Sequence, residues 1–212
     1  MRSVTAQASD PRPLAGEPLA LDLLNTQWLA SGTPVDLLAT QDGTRSWLAA
    51  VAIAAPPAPE TRQALIAARQ AIRDVLAQPS GGGRRVGVGA ERGGGTSRAR
   101  GREKQSGTEA LGRLNGVLQH GRLRLSIGPS LRPARRLEVD DPAWEPAVMA
   151  AANLLELLDQ APERIRSCQH PACVLWFYDT TRNATRRWCS MATCGNRAKA
   201  QRHYQRARQP PA

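Results

Sequence analysis

Read from the N-terminus, the apolar residues fall into a few periodic segments. Leu19, Leu23 and Leu24, followed by Trp28, fit one buried face of a helix over residues 17–30, with Pro18 in the first turn where a missing N–H is tolerated. Gly32 to Pro34 break the pattern, and residues 35–39 are a short apolar piece. Thr40 and Asp42 are cap residues for a helix over 46–53 that turns Trp47 and Leu48 inward. Pro56, Pro57 and Pro59 stop and restart the chain. Residues 60–77 then repeat Leu65, Ala68, Ile72, Val75 and Leu76 at spacings of three and four, the pattern of an amphipathic helix; Arg62, Arg69 and Arg73 lie mostly off that stripe and read as solvated.

The pattern fails over residues 80–107, where runs such as GGGRRVGVG offer almost nothing to bury, so disorder is expected. The glycine runs have no preceding strand and no Gly-Lys-Ser/Thr ending, which argues against a phosphate-binding loop. Thr108 caps the next helix, with Leu111, Leu114, Val117 and Leu118 on one face. Leu123, Leu125 and Ile127 alternate with polar residues, and Leu137 and Val139 alternate again after a turn, which predicts a β-hairpin. Asp140, Asp141 and Pro142 start a helix over 144–158 that buries Val148, Ala151, Leu154, Leu155 and Leu158. The sum is a mainly α chain with a small β-hairpin (α+β): a disordered tail over 1–16, a helical domain over 17–161 with the insertion at 80–107, and a distinct segment over 162–212.

Charge separates that last segment from the rest. The chain carries a net +11; residues 162–212 hold ten Lys+Arg against Glu163 and Asp179, the insertion seven against two, and the remainder is slightly acidic. Basicity confined to two segments points to a body joined to a polyanion-binding module. The first ten residues are polar and no apolar run approaches eighteen residues, so neither an export signal nor a membrane span is expected, and a cytoplasmic protein is.

The basic segment also holds all four cysteines, as the pairs Cys168/Cys173 and Cys189/Cys194. Two close pairs fit a tetrahedral four-thiolate zinc site. Buried or disulfide-linked cysteines are the alternative, and a reducing compartment favours the metal. Four thiolates leave no place for His170 or His203 and no open position for a metal-bound water, so the expected Zn2+ is single and structural. His120, His170 and His203 have no evident partners, and no enzyme is expected.

Within this segment, Cys-Gly-Asn-Arg at 194–197, Arg-Arg-Trp-Cys at 186–189 and Phe-Tyr-Asp at 177–179 resemble the CGNR zinc-finger family. That resemblance implies zinc on the four cysteines and DNA binding in bacterial stress-induced transcription regulators. Gly-Glu-Pro-Leu-Ala-Leu-Asp-Leu-Leu-Asn-Thr at 16–26, with Trp47-Leu48, Leu114-Asn115 and Trp144, resembles the ABATE domain that commonly precedes this finger; the insertion departs from it.

The finger is expected to be treble-clef-like: a knuckle, a strand over 174–178 paired with 186–190, and a last helix opened by Gly195 at the metal and capped by Asn196. On that helix Lys199, Arg202 and Arg206 share a face, Ala200, Tyr204 and Ala207 share another that can pack on the hairpin with Trp176 and Phe177, and Arg197 flanks this apolar side. Arg182, Arg186 and Arg187 are candidate phosphate clamps. In the body, the polar residues Asp22, Asn25 and Thr26 inside an apolar helix read either as capping and local hydrogen bonding or as a ligand pocket. The resulting expectation is a zinc-dependent, DNA-binding regulator whose body senses a small-molecule effector or forms a homodimer. A zinc-stabilised protein-interaction or RNA-binding adaptor is the alternative.

Overall fold

The computed structural model describes residues 10–78 and 97–207. The disorder expected over 1–9 and 80–96 lies outside the described residues. The chain is mainly helical, with three two-stranded antiparallel sheets among the described residues.

Helix α1 (Leu19–Leu24) is much shorter than expected. Thr26 donates its hydroxyl to the Leu23 carbonyl at 2.7 Å, and this local bond competes with continuation of the helix. The chain instead forms β1 (Gln27–Ala30) and β2 (Thr33–Asp36), paired from Gln27 opposite Asp36 to Ala30 opposite Thr33. Ser31 and Gly32, at φ +51° and +88°, make the two-residue left-handed turn that matches strand twist. Asp36 then starts a single 3-10 turn, Leu37–Ala39.

Helix α2 (Gln41–Ala50) begins earlier than expected, with the Thr40 hydroxyl accepting from the Gly43 N–H at 3.1 Å. Gly43 is required there, because a Cβ would lie 1.7 Å from the Leu37 carbonyl oxygen. Helix α3 (Pro59–Leu76) follows the sequence pattern and packs on α1, α4 and α5. Helix α4 (Ser97–Leu118) starts well before Thr108, so residues 97–107, expected to be disordered, are helical. It buries Ala110, Leu114 and Val117, while Leu111 faces solvent. The hairpin β3 (Gly121–Ile127) and β4 (Pro133–Val139) forms as predicted and leads into α5 (Glu145–Gln160).

The finger segment departs from its expected pairing. Strand β6 (Trp176–Tyr178) pairs with β5 (Ile165–Ser167), ahead of the first knuckle, rather than with residues 186–190. A π-helical turn, Met191–Gly195, opens into α6 (Asn196–Ala207).

The core is built from α1, α2, α3, α4 and α5 around Leu21, Leu24, Leu38, Trp47, Leu65, Ile72 and Leu154, and it takes in Ile165 and Trp176 from the finger strands. Two corrections concern charge. Arg12, placed in a disordered tail by sequence, is buried, and its guanidinium pairs with Asp10 and with Asp22. Arg69, read as solvated, is buried and grips Asp36 with two bonds of 2.6 and 2.7 Å while donating to Thr26 Oγ1 at 2.8 Å. Burial alone would raise the Asp36 carboxyl, but this guanidinium holds it below its ordinary value. Arg73 is likewise tied down, donating to Gln27 Oε1 at 2.5 Å. The two arginines fasten the β1–β2 hairpin to α3.

Candidate metal centre

Strands β5 and β6 flank the first knuckle, and the π-helical turn delivers the last ligand. The Cys168 N–H donates to the Leu175 carbonyl at 2.9 Å, and the Cys173 N–H donates to the His170 carbonyl at 3.0 Å, folding residues 168–175 into a tight loop. Residues 186–189 run beside it, with the Gln169 N–H bonded to the Arg187 carbonyl at 3.0 Å. Ser190 accepts from the Thr193 N–H and caps the turn that carries Cys194; Asn196, expected as the cap, already has helical backbone angles. A Cβ at Gly195 would sit 2.6 Å from the sulfur of the flexible Met191 side chain and 3.3 Å from the Trp188 ring.

These elements bring the four Sγ atoms within 4.8 Å of one another. The Cys173–Cys189 separation is 3.8 Å and the Cys189–Cys194 separation 3.6 Å. A tetrahedral ZnS4 unit with bonds of about 2.3 Å requires sulfurs about 3.8 Å apart, so the donor set fits zinc as it stands. The spacing is far too long for disulfides, and all four cysteines are free.

The electrostatics agree. Four thiols this close cannot all ionise unaided. Hydrogen bonds from Cys173 and Cys189 hold Cys168 down at about 2, and the same contact pushes Cys173 up to about 12. Cys189 is raised by its contact with Cys168, and Cys194 chiefly by burial. A divalent cation removes that conflict, because bound thiols are deprotonated outright. Backbone N–H groups already aim at the sulfurs: Cys189 and His170 at Cys168, and Leu175 at Cys173. Such donors stabilise thiolate charge and orient the ligands. His170 Nδ1 accepts from the Ala172 N–H, so the imidazole braces the knuckle.

Around the site Leu175, Phe177 and the cysteines form a second small core, covered by Trp188 and by Leu14 and Trp28 of the body. Asp179 is fully buried and organises the loop beyond β6. It accepts from the Thr181 hydroxyl at 2.6 Å and from the N–H groups of Thr181 and Arg186 at 3.0 and 2.8 Å. Burial pushes its carboxyl up, yet these bonds outweigh it and leave the carboxyl below its ordinary value.

The body reaches directly into this module. Asn25 Oδ1 accepts from the Trp176 N–H and Asn25 Nδ2 donates to the Trp176 carbonyl, both at 2.9 Å. Glu17 accepts from the Tyr178 N–H at 2.9 Å and lies 3.7 Å from Arg186. Burial raises the Glu17 carboxyl above its ordinary value. Asp22, Asn25 and Thr26, the candidates for a ligand pocket, all bond to groups of the protein itself. Asp22 is occupied by Arg12, the Trp47 indole N–H and the Gly16 N–H; Asn25 by Trp176; and Thr26 by Leu23 and Arg69. Sequence flagged these polar residues correctly as anomalous, but their partners lie as far as 151 positions away and left no local signal.

The basic candidates divide. Arg186 is half-buried and held by the finger: it stacks over Phe177 at 4.3 Å and donates to the carbonyls of Trp188 and Cys189. Arg182, Arg187, Arg197 and Lys199 are exposed, and Arg187 donates to Gln169. Arg202 and Arg206 lie on α6. The expected packing of α6 on the hairpin is absent at Ala200 and Tyr204, both exposed; Trp176 faces the body and Phe177 the cysteines.

Comparison with known proteins matches this division of the chain. The CGNR zinc finger model matches residues 164–207. The ABATE model, described as "Putative stress-induced transcription regulator", matches residues 17–160, more than half of the chain. A comparison with curated proteins returns no match. The family and the sulfur geometry together assign one zinc ion to the cysteine cluster. The chain therefore belongs to the ABATE family, with a CGNR zinc finger following the ABATE region.

Proposed function

We propose that the protein is a cytoplasmic, non-enzymatic transcription regulator that binds duplex DNA through its zinc finger, the helical body (17–161) sensing an effector or forming a homodimer. One observation carries the reading. Arg182, Arg187, Arg197 and Lys199 are exposed on the finger and have no carboxylate partner among the described residues. Cations left without a protein counterion on a metal-braced scaffold suit a phosphate backbone. With four thiolates closing the tetrahedron, the zinc has no position for a reacting water, so its role is to hold this surface in shape.

Fluorescence anisotropy with labelled duplexes tests the reading, with zinc and with chelator, over a salt series, against random and genomic promoter fragments. If these four cations meet phosphates, log affinity falls against log salt with a slope of about −3.6 from them alone. Chelator abolishes the binding, and promoter fragments survive random competitor. Binding removed entirely by random DNA leaves only charge attraction. A preference for RNA, or no nucleic-acid affinity at physiological salt, overturns the proposal in favour of an adaptor.

A further inference from the structure

The β3–β4 hairpin is built unlike a cover for the core. Its base is fixed: His120 stacks on Trp144 with ring centroids 3.7 Å apart, the Asp140 N–H bonds to the His120 carbonyl, and Gly121 sits so close to Val148 that a Cβ would lie 2.5 Å from its methyl. Beyond the base the ribbon is bare. Leu123, Leu125 and Ile127 share one face and are 62%, 68% and 73% exposed, and Leu131 at the tip is 83% exposed. An isolated two-stranded ribbon is marginal in water, and so large an apolar face on it is a liability unless something covers it.

Charge identifies the occupant. Residues 121–139 carry five arginines against Glu138, a net +4. Arg122 and Arg124 pair with Asp140 and Glu138, but Arg132, Arg135 and Arg136 have no carboxylate partner among the described residues. Arg124 also stands directly opposite Arg136 in the ladder. Like charges facing each other weaken a hairpin, and a polyanion relieves the repulsion. A second copy of the chain would add to it, because Arg135 lies opposite Leu125, within the apolar stripe. The tip gives an independent sign. Leu131 holds φ +55°, a left-handed backbone that disfavours a bulky side chain, yet it points a large apolar group at solvent.

We propose that the β3–β4 hairpin is a second DNA-contacting arm: it enters a groove of the duplex bound by the finger, its free arginines meet flanking phosphates, and Leu131 packs against the base steps. A two-stranded ribbon of seven-residue strands reaches about 24 Å and has the width a groove admits. Apolar wedges at such tips unstack base steps and bend the duplex. The inference rests on the duplex-binding reading above.

The test uses the full-length, zinc-loaded chain and a duplex labelled at both ends, so that anisotropy gives affinity and energy transfer gives bending. Three variants are compared: Arg132→Ala with Arg135→Ala and Arg136→Ala; Leu131→Gly; and Arg197→Ala with Lys199→Ala in the finger. The hairpin arginine variant should bind roughly 100-fold more weakly at physiological salt, with a salt slope about 2.7 less steep. Leu131→Gly relaxes the backbone, so it folds at least as well as wild type, and it should reduce the bend. Wild-type affinity, slope and bending in both hairpin variants, with loss in the finger variant, overturns the arm and leaves the finger reading intact. Loss in the hairpin variants alone removes the finger and overturns the two-contact arrangement, and loss in both the hairpin and the finger variants sustains the arm. No duplex binding by wild type ends both. A hairpin substitution that converts a dimer to a monomer in sedimentation without changing affinity or bending shows that a second copy covers this face, and the arm is refuted.

Discussion

Replacing Asn25 by alanine isolates the join between the body and the zinc module. Asn25 is fully buried in α1's wake and spans both the N–H and the carbonyl of Trp176, two bonds of 2.9 Å. Alanine removes both partners and leaves two backbone groups facing a dry gap. Each orphaned group costs about 1–3 kcal/mol, so the substitution should destabilise the protein by roughly 2–6 kcal/mol. For a chain of this size that corresponds to a fall in Tm of about 4–24 °C. The informative assay follows two signals in one denaturant titration: far-UV circular dichroism for the helices, and zinc release to a colorimetric chelator for the finger. In wild type both should move together, because Trp176 belongs to the helical core while its neighbour Phe177 belongs to the cysteine core. In Asn25→Ala zinc should leave first, ahead of the helical transition. A variant whose midpoint and zinc release both match wild type would refute the coupling, and with it the claim that these bonds join the two parts.

Three further outcomes follow from the same geometry. Cys194→Ser should lower zinc from one ion per chain by elemental analysis and loosen the finger while the body stays helical; unchanged stoichiometry would remove Cys194 from the ligand set. Gly43→Ala should cost about 1–3 kcal/mol in chemical denaturation, because the new methyl meets the backbone oxygen of Leu37 and not a side chain that can swing away. Asp179, with its folded carboxyl below the ordinary 3.8, contributes stability that is fully present above that pH and is lost as pH falls through the lower folded value; Asp179→Asn should flatten the acid limb of Tm against pH in that window.

Where a feature is local, the sequence already carries it. The two cysteine pairs announce the four-sulfur cluster, since each pair closes a short loop that holds its own shape. Helix α3 is legible because its burial follows a single period, and the β3–β4 hairpin because its apolar residues alternate along the chain, although that apolar face is left exposed. Residues 17–30 fail for a definable reason. Leucine spacing fits a helix, but Thr26 bonds back to Leu23 and the Ser31–Gly32 turn accommodates left-handed angles, and these local bonds override periodicity. Arg12 and Arg69 look like solvent-facing charges until the distant carboxylates Asp22 and Asp36 are brought to them. The finger's sheet is misassigned in the same way: residues 186–190 have strand-like composition, but Arg186 and Arg187 spend their bonds on the Asp179 loop and the knuckle, and β5 takes the place beside β6.

Strand β6 alternates its loyalties: Trp176 and Tyr178 turn to the helices, and Phe177 turns to the cysteines. That alternation limits how the two parts could be exchanged. A recombination joint placed in the short linker between α5 and β5 would look clean in an alignment, yet it would part Trp176 from Asn25 and Tyr178 from Glu17. A foreign finger grafted there would need a strand that presents the same two faces and leaves its backbone open to the same two side chains. In this chain the finger and the helical body fit as a matched pair, and a change to the face of either one has to be answered in the other.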